Sequence, residues 1–148
     1  MCRARHTCAE SDRGGNTMTD RELINLAFEA SENAYAPYSG YKVGAALVCE
    51  DGSIYLGCNM ENAAYGSSIC AERIAIGKAI SEGKRNFIRM AVAARGEDYA
   101  MPCGSCRQVI NEFSQEMEVL AARADGRYVS YKLNELLPKA FSPHNLEK

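Results

Sequence analysis

The chain has 148 residues, 47% hydrophobic and 24% charged, with 17 basic against 19 acidic side chains and a net charge of −2. Such usage fits one globular domain with a core of its own, and the slightly acidic balance disfavours a polynucleotide partner, which selects a basic face. No apolar run approaches the roughly 20 residues that span a bilayer, and Met1–Asp20 lacks the apolar stretch of a signal peptide, so a cytoplasmic protein without a membrane partner is expected.

Residues 1–18 read as a flexible extension, polar and without periodicity, in which Cys2, His6 and Cys8 offer metal donors on composition alone. Residues 19–148 read as one catalytic domain. Thr19 with Glu22 three residues on predicts a capped helix running to about Asn33 through Leu23, Leu26, Ala27 and Ala30. Asp51-Gly52 between Val43–Cys49 and Ile54–Asn59 predicts a hairpin. Ser67 or Ser68 is expected to cap a helix from about Cys70 to Glu82, closed by Gly83, with a buried strand over Phe87–Ala94. Pro102 is expected to open a helix to about Phe113, followed by strands Val119–Arg123 and Tyr128–Lys132 about an Asp125-Gly126 turn, and a helical turn at Leu133–Leu137. Alternating helices and strands of this kind predict an α/β fold, three-layer α/β/α, around a mixed five-stranded sheet.

Seven cysteines are an odd number in a chain that reads as intracellular, so metal or catalytic roles outrank disulfides. The two histidines, His6 and His144, fall in polar tails, which argues against a Ser-His-Asp triad, a Cys-His protease and a histidine-ligated metal. Cys103-Gly104-Ser105-Cys106 sets two thiols three apart at a helix start, where they share a face. Cys70 and Glu72 sit at a second helix start, whose side chains lean toward its N-terminus, so two helix ends can meet over one ion. Free N–H groups there favour the thiolates a metal needs, and Arg73 can offset the excess charge of three of them. Three protein ligands leave a fourth position for water, the mark of a catalytic rather than a structural zinc.

A cysteine or histidine, a glutamate two residues on and a later P-C-x-x-C form the pattern of the zinc deaminases. Cys70-Ala71-Glu72 and Pro102-Cys103-Gly104-Ser105-Cys106 match it. With Asn59-Met60-Glu61-Asn62 and Tyr38-Ser39-Gly40-Tyr41-Lys42-Val43-Gly44-Ala45 upstream, the chain from about Ala34 to Phe141 resembles the small homotetrameric zinc-dependent cytidine deaminases. The resemblance implies one Zn2+ per subunit on Cys70, Cys103 and Cys106. It implies hydrolysis of cytidine and deoxycytidine, in pyrimidine salvage, by a zinc-bound hydroxide, with Glu72 as proton shuttle and holder of the ring N3. Asn59 and Glu61 would bind the ribose, and Tyr41 would stack on the base where relatives commonly have phenylalanine. The Ala71 N–H would meet the base's polar edge, and Phe141 would close a neighbouring subunit's pocket. Arg73 and Gln108 would support the metal cysteines. Ile74, where relatives usually carry threonine, departs from the pattern without touching an expected ligand.

Three rival readings stay open on the sequence. Cys103 and Cys106 alone could form a thioredoxin-like redox pair, which leaves Cys70 and the Asn59 motif unexplained. Cys49 or Cys58 could complete a structural four-cysteine zinc, although both fall on strands as small hydrophobes. A deaminase of another aminopyrimidine nucleoside, such as blasticidin S, would keep the metal site and change the pocket.

Overall fold

The computed structural model describes residues 18–147, so the readings of the segment before Met18, including Cys2, His6 and Cys8, lie outside the described residues. Met18 itself belongs to the fold, since its carbonyl accepts from Arg89 and its side chain packs on the first helix's cluster.

Helix α1 (Asp20–Ser31) starts from Thr19, whose hydroxyl accepts from the Glu22 backbone while the Glu22 carboxylate accepts from Thr19 N–H. Strands β1 (Val43–Cys49) and β2 (Ile54–Cys58) form the expected hairpin, with Gly52 at φ 87°. Helix α2 (Ala71–Ser81), strand β3 (Phe87–Ala94), helix α3 (Gly104–Phe113), strands β4 (Glu118–Ala122) and β5 (Tyr128–Lys132) and helix α4 (Leu133–Leu136) follow. Two short 3-10 turns, Tyr65–Ser67 and Pro143–Leu146, were not anticipated from the sequence.

Two helix starts differ from expectation. The N-cap of α2 is Cys70, not a serine: Ser67 ends a 3-10 turn, and Ser68 spends its hydroxyl on Asn62 N–H. Pro102 precedes rather than opens α3, whose N-cap is Cys103. In both places the thiol occupies the position that a hydroxyl or carboxamide usually takes.

The sheet order is β2-β1-β3-β4-β5, antiparallel except for the β3–β4 pair, which α3 joins as a crossover. Strand alternation sorts the core into two layers. Leu23, Ile24 and Ala27 of α1 pack on Ala46, Val48, Ala91, Ala93 and Leu120. On the other face Ala71, Ala75 and Ala79 of α2 and Ile110 of α3 pack on Ala45, Leu47, Met90 and Val92. A register shift opposite Val48 and Cys49 passes over Ile88, which is exposed, and returns Phe87 to the α2 side. The three-layer α/β/α arrangement is thus present.

Glycine sets how close each helix lies. A Cβ on Gly44 would stand 1.8 Å from the Ala27 carbonyl oxygen of α1, and one on Gly57 would stand 2.3 Å from that of Ala71 in α2. Backbone rests on backbone at both places, and at Gly57 the helix turn so seated carries the site. Among the described residues no helix is long and apolar enough to cross a membrane.

Candidate metal and catalytic site

Two helix N-termini converge on the α2 side of the sheet. Cys70 and Cys103 are the N-caps of α2 and α3, and Cys106 lies in the first turn of α3. Their three Sγ atoms lie within 4.8 Å of one another, with Cys70 and Cys103 at 3.8 Å. Bonds of about 2.3 Å to a tetrahedral zinc place its sulfurs about 3.8 Å apart, so this donor set fits the ion. Among the described residues the metal-ligating group holds these three alone, while Cys49 is buried in β1 and Cys58 ends β2 outside it. Among the described residues a closed four-cysteine site is therefore not formed.

The surroundings favour a deprotonated sulfur at Cys70. Hydrogen bonding from Cys106, opposed by burial and helped by Arg73 and Cys103, lowers the Cys70 thiol to about 5. The same pairing, together with burial and the Glu72 carboxylate, pushes Cys106 up. Arg73 donates through Nη2 to Cys70 Sγ at 3.4 Å. Its Nε is buried without a hydrogen-bond partner among the described residues.

Glu72, two residues into α2, is 4% exposed. Burial raises its carboxyl to about 7, and the Cys70 thiolate adds to the rise against hydrogen bonds from its own backbone and from Cys106 and the charge of Arg73. A carboxyl near neutrality beside an open metal position can both take and return a proton.

The remaining expected residues gather around this centre unequally. Tyr41, 48% exposed, has its phenol raised by partial burial and then by Glu72 and Asp98, which puts it in the field of the Glu72 carboxyl. Asn59 accepts from Val43 N–H at 2.9 Å and donates to the Tyr41 carbonyl at 2.8 Å, so it fixes the chain that presents Tyr41. Glu61 accepts from the N–H groups of Tyr38 and Ser39 and from the Ser39 hydroxyl, and these bonds hold its carboxyl below the usual range. Ala71, fully buried, opens α2 beside Cys70. Phe141 is 60% exposed. Gln108 donates to the Phe141 carbonyl at 2.9 Å, a contact with the C-terminal segment rather than with a sulfur.

Sequence reasoning missed Ser39, which wraps Glu61 across 22 positions, and Asn111, a buried amide in α3 that also donates to Phe141. Neither contact has a periodicity to betray it. His144 is exposed and pairs with Glu147, outside the site as expected.

Two hollows of about 190 and 480 Å³ flank the centre, one lined by Tyr41, Lys42 and Arg95 and the other by Arg73, Ile74 and Gly77.

Comparison with known proteins gives a consistent answer. The family profile described as the cytidine and deoxycytidylate deaminase zinc-binding region matches residues 17–122. A cytidine deaminase from Sporosarcina psychrophila is 48% identical over 130 residues, covering 87% of this chain and 96% of its own. One from Halalkalibacterium halodurans is 44% identical over 86% of this chain and 98% of its own. The crystal structure of cytidine deaminase from Burkholderia pseudomallei superposes with a TM-score of 0.82 at 45% identity, covering 84% of this chain and all of that one. With the thiol cluster and the buried Glu72 in the places this profile spans, the chain belongs to the cytidine and deoxycytidylate deaminase family.

Proposed function

We propose that the protein hydrolyses the exocyclic amine of cytidine and deoxycytidine, giving uridine or deoxyuridine and ammonia. The observation that carries this is Glu72, buried to 4% exposure directly beside a three-thiol cluster with no fourth protein ligand among the described residues. Cys70, Cys103 and Cys106 would hold a zinc ion, which when bound would lower the pKa of water from about 15.7 toward 7 and so supply a nucleophile at neutral pH. Every later proton movement falls to Glu72. It accepts one proton of the attacking water and places it on the ring N3, then takes the second from the hydroxyl now on C4 and gives it to the departing amine, so one carboxyl serves in turn as base and as acid.

The substrate is held by groups already ordered. Tyr41 lies against the base and the Ala71 N–H, free at the first turn of α2, meets its polar edge. Asn59 keeps one Nδ2 hydrogen, and Glu61, with three of about four acceptor sites filled, keeps room for a ribose hydroxyl. Arg73 and Gln108 act behind these, Arg73 on the Cys70 sulfur and Gln108 on the Phe141 carbonyl.

The working unit is a homotetramer in which Phe141 covers a neighbour's site. Five of the eight large exposed hydrophobics among the described residues, Tyr35, Tyr38, Tyr41, Met60 and Tyr65, fall in the segments that flank β1 and β2, as on surfaces built for association. Residues 19–148 form the catalytic unit, since every residue with an assigned role lies between Tyr41 and Phe141. A reducing, cytoplasmic setting suits the free thiols of Cys49, Cys58, Cys70, Cys103 and Cys106.

Loss of cytidine absorbance is followed with zinc-loaded protein and with Glu72→Gln, zinc being quantified in both and mass measured by light scattering. The expected result is turnover that falls by about 10²- to 10⁴-fold in the variant with zinc retained, from a particle of four chains. Turnover of another aminopyrimidine nucleoside in place of cytidine overturns the substrate, and an active single chain overturns the assembly.

A further inference from the structure

Helix α3 does more than present two thiols. Gln108 and Asn111, three apart on one face, both donate to a single acceptor, the Phe141 carbonyl, at 2.9 and 3.1 Å. Two donors fill both lone pairs of that oxygen. The neighbouring Arg107 donates through Nη1 to the Leu136 carbonyl at 2.9 Å and through Nε to that of Pro102 at 2.8 Å. The segment from Leu136 to Phe141 is thus pinned to α3 at both ends. Between the pins the chain bends through Lys139 at φ 52°, the one non-glycine with positive φ among the described residues.

The burial is uneven. Asn111 is 4% exposed and Ser142 is 8% exposed, yet the Phe141 ring between these two anchors is 60% exposed. A buried amide beside the core residue Ile110 is tolerated only when bonded, and Asn111 spends its donor on this one carbonyl. The backbone is drawn in while the ring is left largely outside.

We infer that Gln108 and Asn111 are positioning residues that fix the Phe141 backbone on α3 so that its ring projects into the substrate pocket of a second copy of this chain. This rests on the reading that Phe141 closes a neighbour's pocket. Because the same helix bears Cys103 and Cys106, one element holds its own chain's metal and aims the cover of the next chain's site.

The test uses the full-length, zinc-loaded protein with Gln108→Met, Asn111→Leu, their combination and Phe141→Ala, comparing kcat and KM for cytidine, zinc content and assembly mass. The combined clamp variant raises KM by about three- to tenfold, the worth of a lost hydrogen bond, with kcat and zinc unchanged. Phe141→Ala raises KM at least as far, and adding the clamp changes to it has no further effect. Should Asn111→Leu not fold, Gln108→Met, at an exposed position, carries the same comparison. Clamp variants that lower zinc content or kcat at constant KM, or that add to Phe141→Ala, overturn the inference. Phe141→Ala with unchanged KM overturns the pocket reading and the clamp with it, whereas a Phe141 effect with silent clamp variants overturns the clamp alone.

Discussion

Helix α1, on one face of the sheet, begins with Thr19 and Glu22 bonding each other's backbone N–H groups, whereas α2, on the other, begins with Cys70, whose side chain makes no capping bond. Behind its cap α1 buries an almost wholly apolar stripe, Leu23, Ile24, Ala27 and Ala30. In its first turn α2 buries Glu72, and α3 offers only the weak acceptor Cys103 Sγ, 3.5 Å from the Cys106 N–H. One face follows the rules that stabilise helices, while the other breaks them at the residues that carry chemistry. Local rules fail where a fold supports function, and the remainder of the structure compensates.

The largest effect that can break this comparison lies beneath the helices. Gly57→Ala and Gly44→Ala each force a methyl into helix backbone, Gly57 against Ala71 and Ala75 of α2 and Gly44 against Ala27 and Ser31 of α1. Both variants lose about 1–3 kcal/mol or more in denaturant unfolding, as overpacked sites do. They separate on zinc. Gly57→Ala lifts the turn that presents Cys70 and Glu72 and weakens zinc affinity, while Gly44→Ala, despite its closer contact, leaves zinc affinity unchanged. Equal zinc affinities after both substitutions show that the seat of α2 does not govern the metal centre.

A smaller pair sharpens the contrast at the caps. Thr19→Ala removes a working cap and costs about 1 kcal/mol, with kcat unaffected. Cys70→Ser gives α2 a residue that caps well, so metal-free protein gains about 0.5–1 kcal/mol while the zinc-dependent activity is lost. Calorimetry on metal-free samples decides it. A Cys70→Ser chain less stable than the metal-free parent shows that the thiol stabilises the fold without metal.

Much of this architecture was legible in the chain. Asp51-Gly52 and Asp125-Gly126 marked both turns because only a residue at ease with positive φ fits there, as Gly52 at 87° and Gly126 at 82° show. Phe87–Ala94 was visible as a buried strand, and the cysteine spacing announced the metal site. The start of α2 was misread because serine is the better cap by propensity, and the requirement that overrode it, three sulfurs at one point, is tertiary. Contacts such as Ser39 with Glu61 and Asn111 with Phe141 join residues 22 and 30 apart. No local pattern encodes them, and they determine how the site is held.

The two first-turn glutamates give the smallest effect and oppose each other in sign. Glu22 has its carboxyl lowered by the Thr19 backbone bond and then by the Thr19 hydroxyl, from an ordinary value of 4.5. A lowered folded value means that its stabilisation is complete above about 4.5 and is lost as the pH falls through the folded value. Glu72 is raised by burial from the same 4.5 to about 7, so in the metal-free chain its contribution is complete below 4.5 and is lost as the pH rises through 7. The Glu22 contribution therefore falls at the acid end and the Glu72 contribution at the upper end, where the Cys70 thiol, lowered to about 5, contributes in the opposite sense, so each is read as the difference between parent and variant. Glu22→Gln flattens the acid limb alone and Glu72→Gln the limb between 4.5 and 7 alone. If Glu72→Gln leaves the upper limb intact, the buried carboxyl is not what α2 bears for the sake of the site, and the contrast between the two faces rests on the caps.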